Sequence, residues 1–538
     1  MPAPLPSLQR LHQRLLPLAL AALLAAPAAA DRLITEDGRV IQLVKARQVD
    51  DGYHLVFENG EFNVGPDARI ASIEMEGDMS DYVPQNDDER EKLADGFVRY
   101  KGKWMSKARY ETERRKEFEA AKERTDELVA HSAWHNAWEK ETKHFLIKSN
   151  TSEELLDYYA ELLEAYYKLM DKRVGIKPTP SYRRKKMTVN IYKSREEFRD
   201  LSAANPGAST LGYFWSYDDT LNFFHDYDDP AMSDWVALHE CTHLLTFLID
   251  QQYGAQIWLN EAVADYFGSS DIEVDDRGRI TITPGKLQTD RVLTVQEAMR
   301  DEKDTKLEEL FFISRDGYSG FQYAHGWSFV YFLYNADGGK HAKDFTRFFK
   351  DLYTLAKGIP YTSQQGAGPT GTEKRVSPKD IRDLLMDAIG YDDLDELEKD
   401  WKAFIATIPV DSGPALLKRG LIRTARGQFK DAIDDLDRAI EQGVQDPRAW
   451  ATRGQARTLM GQRDAGLEDL RQAIELAPLS ARYRYALSTA LVGVVSFGNM
   501  EVEGKLDFDD EEAKAQAGLA MELDPQNAAY ERWFQRFD

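Results

Sequence analysis

Five consecutive residues, His239-Glu240-Cys241-Thr242-His243, form an HExxH motif. On a helix, positions i and i+4 lie one above the other, so both imidazoles can reach one Zn²⁺ at ~2.0–2.1 Å. Glu240 is one position on from His239, near enough to address a water on that ion but not placed as a ligand. Catalytic zinc needs a third protein ligand and one open position. Downstream stands Trp258-Leu259-Asn260-Glu261-Ala262-Val263-Ala264-Asp265. If this segment is helical, Glu261 and Asp265 share a face. Glu261 can then be the third ligand. Asp265 can accept a hydrogen bond from the free ring nitrogen of a ligating histidine, fixing its tautomer and raising its basicity.

The elements that must position these groups can be read around them. Trp235, Val236, Leu238, Leu244, Leu245 and Phe247 flank the motif, as expected of a buried helix. Asp229-Pro230 marks its start, with Pro at the first helical position. Upstream, residues 211–217 and 220–224 are aromatic-rich about Asp218-Asp219, predicting a hairpin with an edge strand. That hairpin serves either core packing or pairing with an extended substrate. Strands are expected at 144–148 and 188–192. Helices are expected after Thr151, boxed with Glu154 and running to about 171, and after Ser194, boxed with Glu197.

Other chemistry-bearing residues attract plainer readings. Cys241 is expected as a small buried side chain on the metal helix. His131 and His135 also stand at i, i+4, but without an intervening Glu or a matched third ligand, so packing or solvated roles are expected.

The chain has 538 residues and a formal charge of −23, with 42% hydrophobic, 30% charged and 11% aromatic residues. That composition can bury a core, which excludes a wholly disordered chain. The acidic balance argues against nucleic-acid binding and against docking on anionic lipid. A single cysteine rules out a disulfide within the chain. Arg10 and Arg14 precede an apolar run at 15–26 and small residues to Ala30, the pattern of a cleaved signal peptide over 1–30. No membrane span is expected after cleavage, and the protein is expected to be exported, periplasmic or extracellular.

Residues 31–105 are expected to form a small β-rich domain, with strands at 40–44, 53–57, 62–64 and 69–73 and a hairpin about Lys101-Gly102. The turn pairs Asp37-Gly38, Asp51-Gly52 and Asn59-Gly60 separate the first runs. The acidic stretch 77–95 is expected to be loose, 106–140 to be a connecting helix, and 357–378 to be a loop insertion. Beyond 412 the sequence repeats every 34 residues: Gly420 and Gly454, Gly427 and Gly461, Leu436 and Leu470, Ala439 and Ala473. This resembles tetratricopeptide repeats. A third unit reusing Ala520 and Pro525 would carry extra residues near 497–509.

The joint HExxH and Asn260-Glu261-x-x-x-Asp265 pattern resembles the gluzincin metallopeptidases, which include thermolysin and aminopeptidase N-type enzymes. Residues 141–412 look most like the peptidase MA-like gluzincins, down to the closing Asp400-Trp401-Lys402-Ala403-Phe404. The 17 residues between His243 and Glu261 make a tighter loop than in either named enzyme type. The resemblance implies that His239, His243 and Glu261 bind zinc, that Glu240 is the general base, and that Asp265 supports a ligand. It also implies an oxyanion donor downstream: Tyr323 by the aminopeptidase pattern, or His325 by the thermolysin one. The Gly-x-Met-Glu-Asn motif that holds a free amine in those aminopeptidases is missing here, so endopeptidase-like action is favoured.

The expectation is therefore an α+β chain. A zincin-like metallopeptidase domain stands between a small β domain and an all-α repeat domain over 413–538. It would hydrolyse a peptide or protein substrate with Zn²⁺, and a protein partner would dock on the repeats. The alternatives are a non-catalytic zinc-containing peptide-binding scaffold and a zinc hydrolase of non-peptide amides or esters.

Overall fold

The computed structural model describes residues 31–49, 52–65, 68–75, 84–100, 102–207, 210–251, 253–275, 277–358, 376–497, 500–503 and 506–537. The expected signal segment, the first part of the acidic stretch and most of 357–378 lie outside them. Two compact units divide the chain: Met1–Ile34 with Val40–Thr125, and Thr35–Arg39 with Asp126–Asp538. The fold is mixed α/β and predominantly helical. No helix among the described residues is long and apolar enough to cross a membrane.

The first unit begins with β1 (Asp31–Thr35), β2 (Val40–Leu43), β3 (Lys45–Val49), β4 (Gly52–Val56), β5 (Glu61–Val64) and β6 (Ile70–Glu74). They form two three-stranded sheets, ordered β2-β1-β6 and β3-β4-β5. Leu33, Ile34, Ile41, Leu43 and Leu55 are buried there. The stretch expected to be loose instead contains a helix, α1 (Asp87–Ala94). Asn86 caps it by accepting from Glu89 N (3.0 Å), and three acidic residues fill its first turn, where they complement the helix dipole. The expected hairpin is β7 (Phe97–Tyr100) with β8 (Lys103–Ser106).

The helix α2 (Lys107–His131) ends earlier than expected. Residues assigned to its end instead form β9 (Trp138–Glu141), an edge strand. The second unit continues with β10 (Phe145–Ser149), α3 (Glu153–Val174), β11 (Met187–Tyr192), α4 (Arg195–Leu201), β12 (Gly212–Trp215), β13 (Thr220–Phe224), α5 (Pro230–Ile249) and α6 (Ile257–Gly268). The sheet order is β12-β13-β11-β10-β9. The three inner strands are parallel and the two edges antiparallel. Phe145, Ile147, Val189, Ile191, Leu221 and Phe223 are buried, as strands covered by helices require. The cap of α3 is Ser152, accepting from Leu155 N, rather than Thr151. The Thr151 hydroxyl is taken by Ser149 at 2.8 Å.

Next come β14 (Ser270–Val274), β15 (Ile280–Pro284), α7 (Thr289–Arg300), α8 (Leu307–Phe312), α9 (Gly320–Asn335), α10 (Ala342–Gly358), α11 (Pro378–Ile389) and α12 (Leu394–Thr407). The chain closes with α13 (Gly413–Ala425), α14 (Phe429–Glu441), α15 (Pro447–Leu459), α16 (Arg463–Leu476), α17 (Ala481–Val492), β16 (Val494–Phe497), β17 (Met500–Glu503), α18 (Glu511–Leu523) and α19 (Ala528–Phe534). The 34-residue period is a stack of helix pairs. Gly420 and Gly454 stand where paired helices cross: a Cβ would lie 2.5 Å from Leu436 Cγ or 2.7 Å from Gly466 O. The ion pairs repeat with the same period. Arg419 and Arg423 clasp Asp435, while Arg453 and Arg457 clasp Asp469. The extra residues of the third unit form the β16–β17 hairpin between α17 and α18.

Candidate metal centre

Asp229 caps α5 by accepting from Met232 N (3.3 Å), and Pro230 opens the helix. The HExxH residues lie in its middle, between the sheet and α6. Two glycines permit this packing. A Cβ on Gly268 of α6 would sit 3.1–3.2 Å from His239 backbone and Cβ atoms. A Cβ on Gly212 of β12 would sit 2.4 Å from Val236 of α5.

The crossing brings His239, His243 and Glu261 together. The Nε2 atoms of the two histidines are 3.2 Å apart, and Glu261 Oε2 is 3.5 Å from each. Two ligands of a tetrahedral ion bound at ~2.0–2.1 Å stand ~3.3–3.4 Å from each other. All three edges of the triangle are close to that length, so these side chains fit a zinc-sized ion without rearrangement. His239 Nδ1 lies 3.1 Å from Asp265 Oδ1, so that its other ring nitrogen, Nε2, is the one on the triangle. The other Asp265 oxygen pairs with Arg291 Nη2 of α7 at 2.7 Å.

Buried charges shift the titration of two of these groups. Burial disfavours a charged His239, but Asp265 and Glu261 outweigh it and raise its pKa to about 10. Burial likewise opposes ionisation of Glu261, yet His243 and His239 hold its carboxyl well below the usual range. Imidazole and carboxylate thus stabilise each other's charged forms at this centre.

Glu240 is half-buried beside the triangle. Its Oε2 accepts a hydrogen bond from Phe214 N on the edge strand β12 at 2.8 Å. The strand therefore orients the carboxylate. Tyr323 stands in the first turn of α9, capped by Ser319 with Gln322. Its phenol lies beside Glu261; burial, with the charge and hydrogen bonding of Glu261, pushes its pKa well up. It therefore stays protonated and able to donate.

Among the described residues, His325 shares no hydrogen bond or ring contact with the triangle. Residues two apart on a helix point ~200° apart. With Tyr323 beside Glu261, His325 packs against Trp401, its Nδ1 2.8 Å from Phe321 O. Cys241 is fully buried, and burial pushes its thiol up. The helix ends at His131, so His131 and His135 share no helical face. His131 stacks on Trp138 at 3.7 Å, and His135 is exposed.

Three participants went unread in the sequence. Arg291 and the Phe214 amide act through folding alone. Tyr318 packs against Tyr323 with tilted rings 4.8 Å apart, and its hydroxyl is buried over Gly326. No protein-family model matches the chain, and no curated protein matches it.

Proposed function

We propose that this chain is an exported zinc-dependent metallopeptidase of the gluzincin type, acting on internal peptide bonds. The observation that carries the reading is the near-tetrahedral triangle of His239, His243 and Glu261 with Glu240 at its side. Those three residues would hold the ion, and Asp265 would orient His239. Zn²⁺ in that position would polarise a carbonyl and lower the pKa of a water.

The chain's own groups supply the rest. Glu240 has one carboxylate oxygen on the Phe214 amide, leaving the other free to take a proton from water and pass it to the leaving amine. The neutral Tyr323 phenol donates to the oxygen where negative charge develops. β12 is the sheet's edge strand, and its backbone groups beyond the Phe214 amide support an extended substrate pairing beside Glu240. The helix pairs after 412 read as tetratricopeptide-like docking modules for a protein partner. The signal-peptide pattern read over 1–30 supports a periplasmic or extracellular setting.

The test is metal content and peptide hydrolysis measured on the purified protein and on Glu240→Gln. About one zinc per chain in both, with cleavage only in the parent, supports the peptidase. Zinc in both with cleavage in neither transfers the weight to a peptide-binding scaffold. Equal cleavage by the two proteins refutes the role of Glu240.

A further inference from the structure

In a chain of net charge −23, a local excess of cations runs against the average. Residues 183–186 read Arg-Arg-Lys-Lys. With Lys143 and His144 they border a cavity of about 300 Å³ where β10 and β11 begin. That volume is at the lower end of the ~300–1,000 Å³ typical of ligand pockets. None of its lining residues belongs to the metal centre.

The cations fall into two sets. Lys185 is neutralised by Asp219 at 2.5 Å and Lys186 by Glu141 at 3.2 Å. Lys143, Arg183 and Arg184 are exposed and make no ion pair among the described residues. Unbalanced like charges at one rim repel, and an anion between them relieves that repulsion.

The cavity wall below the rim is of another kind, formed by Tyr167, Tyr182, Pro178, Met187 and Leu248. This wall is fixed from behind. His144 Nδ1 lies 2.8 Å from Glu164, and the His144 ring stacks flat on Tyr167 at 3.6 Å. The Tyr182 hydroxyl donates to Asp219 at 2.7 Å. A cationic rim over a rigid aromatic and aliphatic wall matches a ligand with a charged head and an apolar body.

We propose that this cavity is a binding site for a phosphate monoester carried on a ring or short apolar group. Two guanidinium forks and an ammonium suit a doubly charged phosphate, which each fork can grip through paired hydrogen bonds. The organic part lies against Tyr167, Tyr182 and Leu248. The site is independent of the peptidase reading and stands if that reading fails.

Calorimetric titration of the whole protein tests it, with chelator present so that the metal centre takes no part. The probes are phenyl phosphate, inorganic phosphate and phenol. Phenyl phosphate is expected to bind at least about tenfold tighter than either of the others, the scale of one lost charge-assisted hydrogen bond or one apolar contact surface. Arg183→Glu with Arg184→Glu, and separately Lys143→Glu, are each expected to weaken it by at least about tenfold. These exposed positions leave the thermal midpoint in place. No binding of phenyl phosphate overturns the proposal. Equal binding of inorganic phosphate overturns the apolar part, and equal binding of phenol or indifference to the charge reversals overturns the anionic part.

Discussion

Asp265→Asn separates the electrostatic support of the metal centre from its ligands. The Asp265 side chain is fully buried and touches two cationic partners: His239 Nδ1 at 3.1 Å and Arg291 Nη2 at 2.7 Å. Asparagine keeps the shape. Its carbonyl oxygen can still accept from His239, but its NH₂ then faces the Arg291 guanidinium, donor against donor. Two effects follow. The basicity lent to His239 falls, and loss of such a supporting group weakens metal binding by ~10–100-fold, about 1.4–2.7 kcal/mol. Arg291 is left unpaired at 15% side-chain exposure. Breaking a buried pair costs about 3–5 kcal/mol, and residual solvent access at Arg291 places this case at the low end. The assays are a zinc titration against a competing chelator and urea unfolding of the metal-free protein. Zinc affinity equal to the parent's would refute the support assigned to Asp265. Unchanged metal-free stability would refute the Asp265–Arg291 link.

Tyr323→Phe is expected to lower kcat by ~10²–10³-fold with little change in KM, as removal of one oxyanion donor does; steady-state kinetics on a cleaved peptide would show an unchanged kcat if the phenol plays no part. His325 responds to pH through stability instead. Burial holds its pKa below the usual ~6.5, so its contribution is fully present above that pH and is lost as pH falls through the folded-state value. Denaturant unfolding at pH 7.5 and 5.5 should therefore show a smaller pH-dependent loss in His325→Gln than in the parent, and equal losses would contradict the buried-neutral assignment. Gly454→Ala is expected to destabilise the repeats by about 1–3 kcal/mol, because the new Cβ would meet the Gly466 carbonyl at 2.7 Å; an unchanged thermal midpoint would mean the helix pair is not packed at that crossing.

What could be read from the sequence was whatever depends on spacing within one element. His239 and His243 share a face because they are four apart on a helix, and so do Glu261 and Asp265. The repeats were legible because the residues of one helix crossing, Gly420 and Leu436, recur 34 positions on at Gly454 and Leu470. The edge position of β12 followed from an aromatic hairpin beside the metal helix. His325 was a rival to Tyr323 only while the phase of α9 was unknown. Once Tyr323 faces Glu261, helical geometry turns His325 to the opposite side.

The unread parts share a different origin. Trp138-Glu139-Lys140-Glu141 is a charged edge strand whose side chains largely face solvent, so its composition suits an exposed helix equally well. Only pairing with β10 decides between the two. Arg291 reaches Asp265 from a helix that begins 24 positions later in the chain, beyond an intervening hairpin that nothing in the local pattern announced. The Phe214 amide is a backbone group and carries no residue-type signal at all. Yet it holds one oxygen of Glu240, the residue the HExxH spacing singles out for proton transfer. The motif supplies the chemical groups. Their orientation comes from β12, α6 and α7, whose contacts form only when the tertiary fold closes. A short motif match alone therefore lacks the side-chain orientation that Phe214, Asp265 and Arg291 supply here.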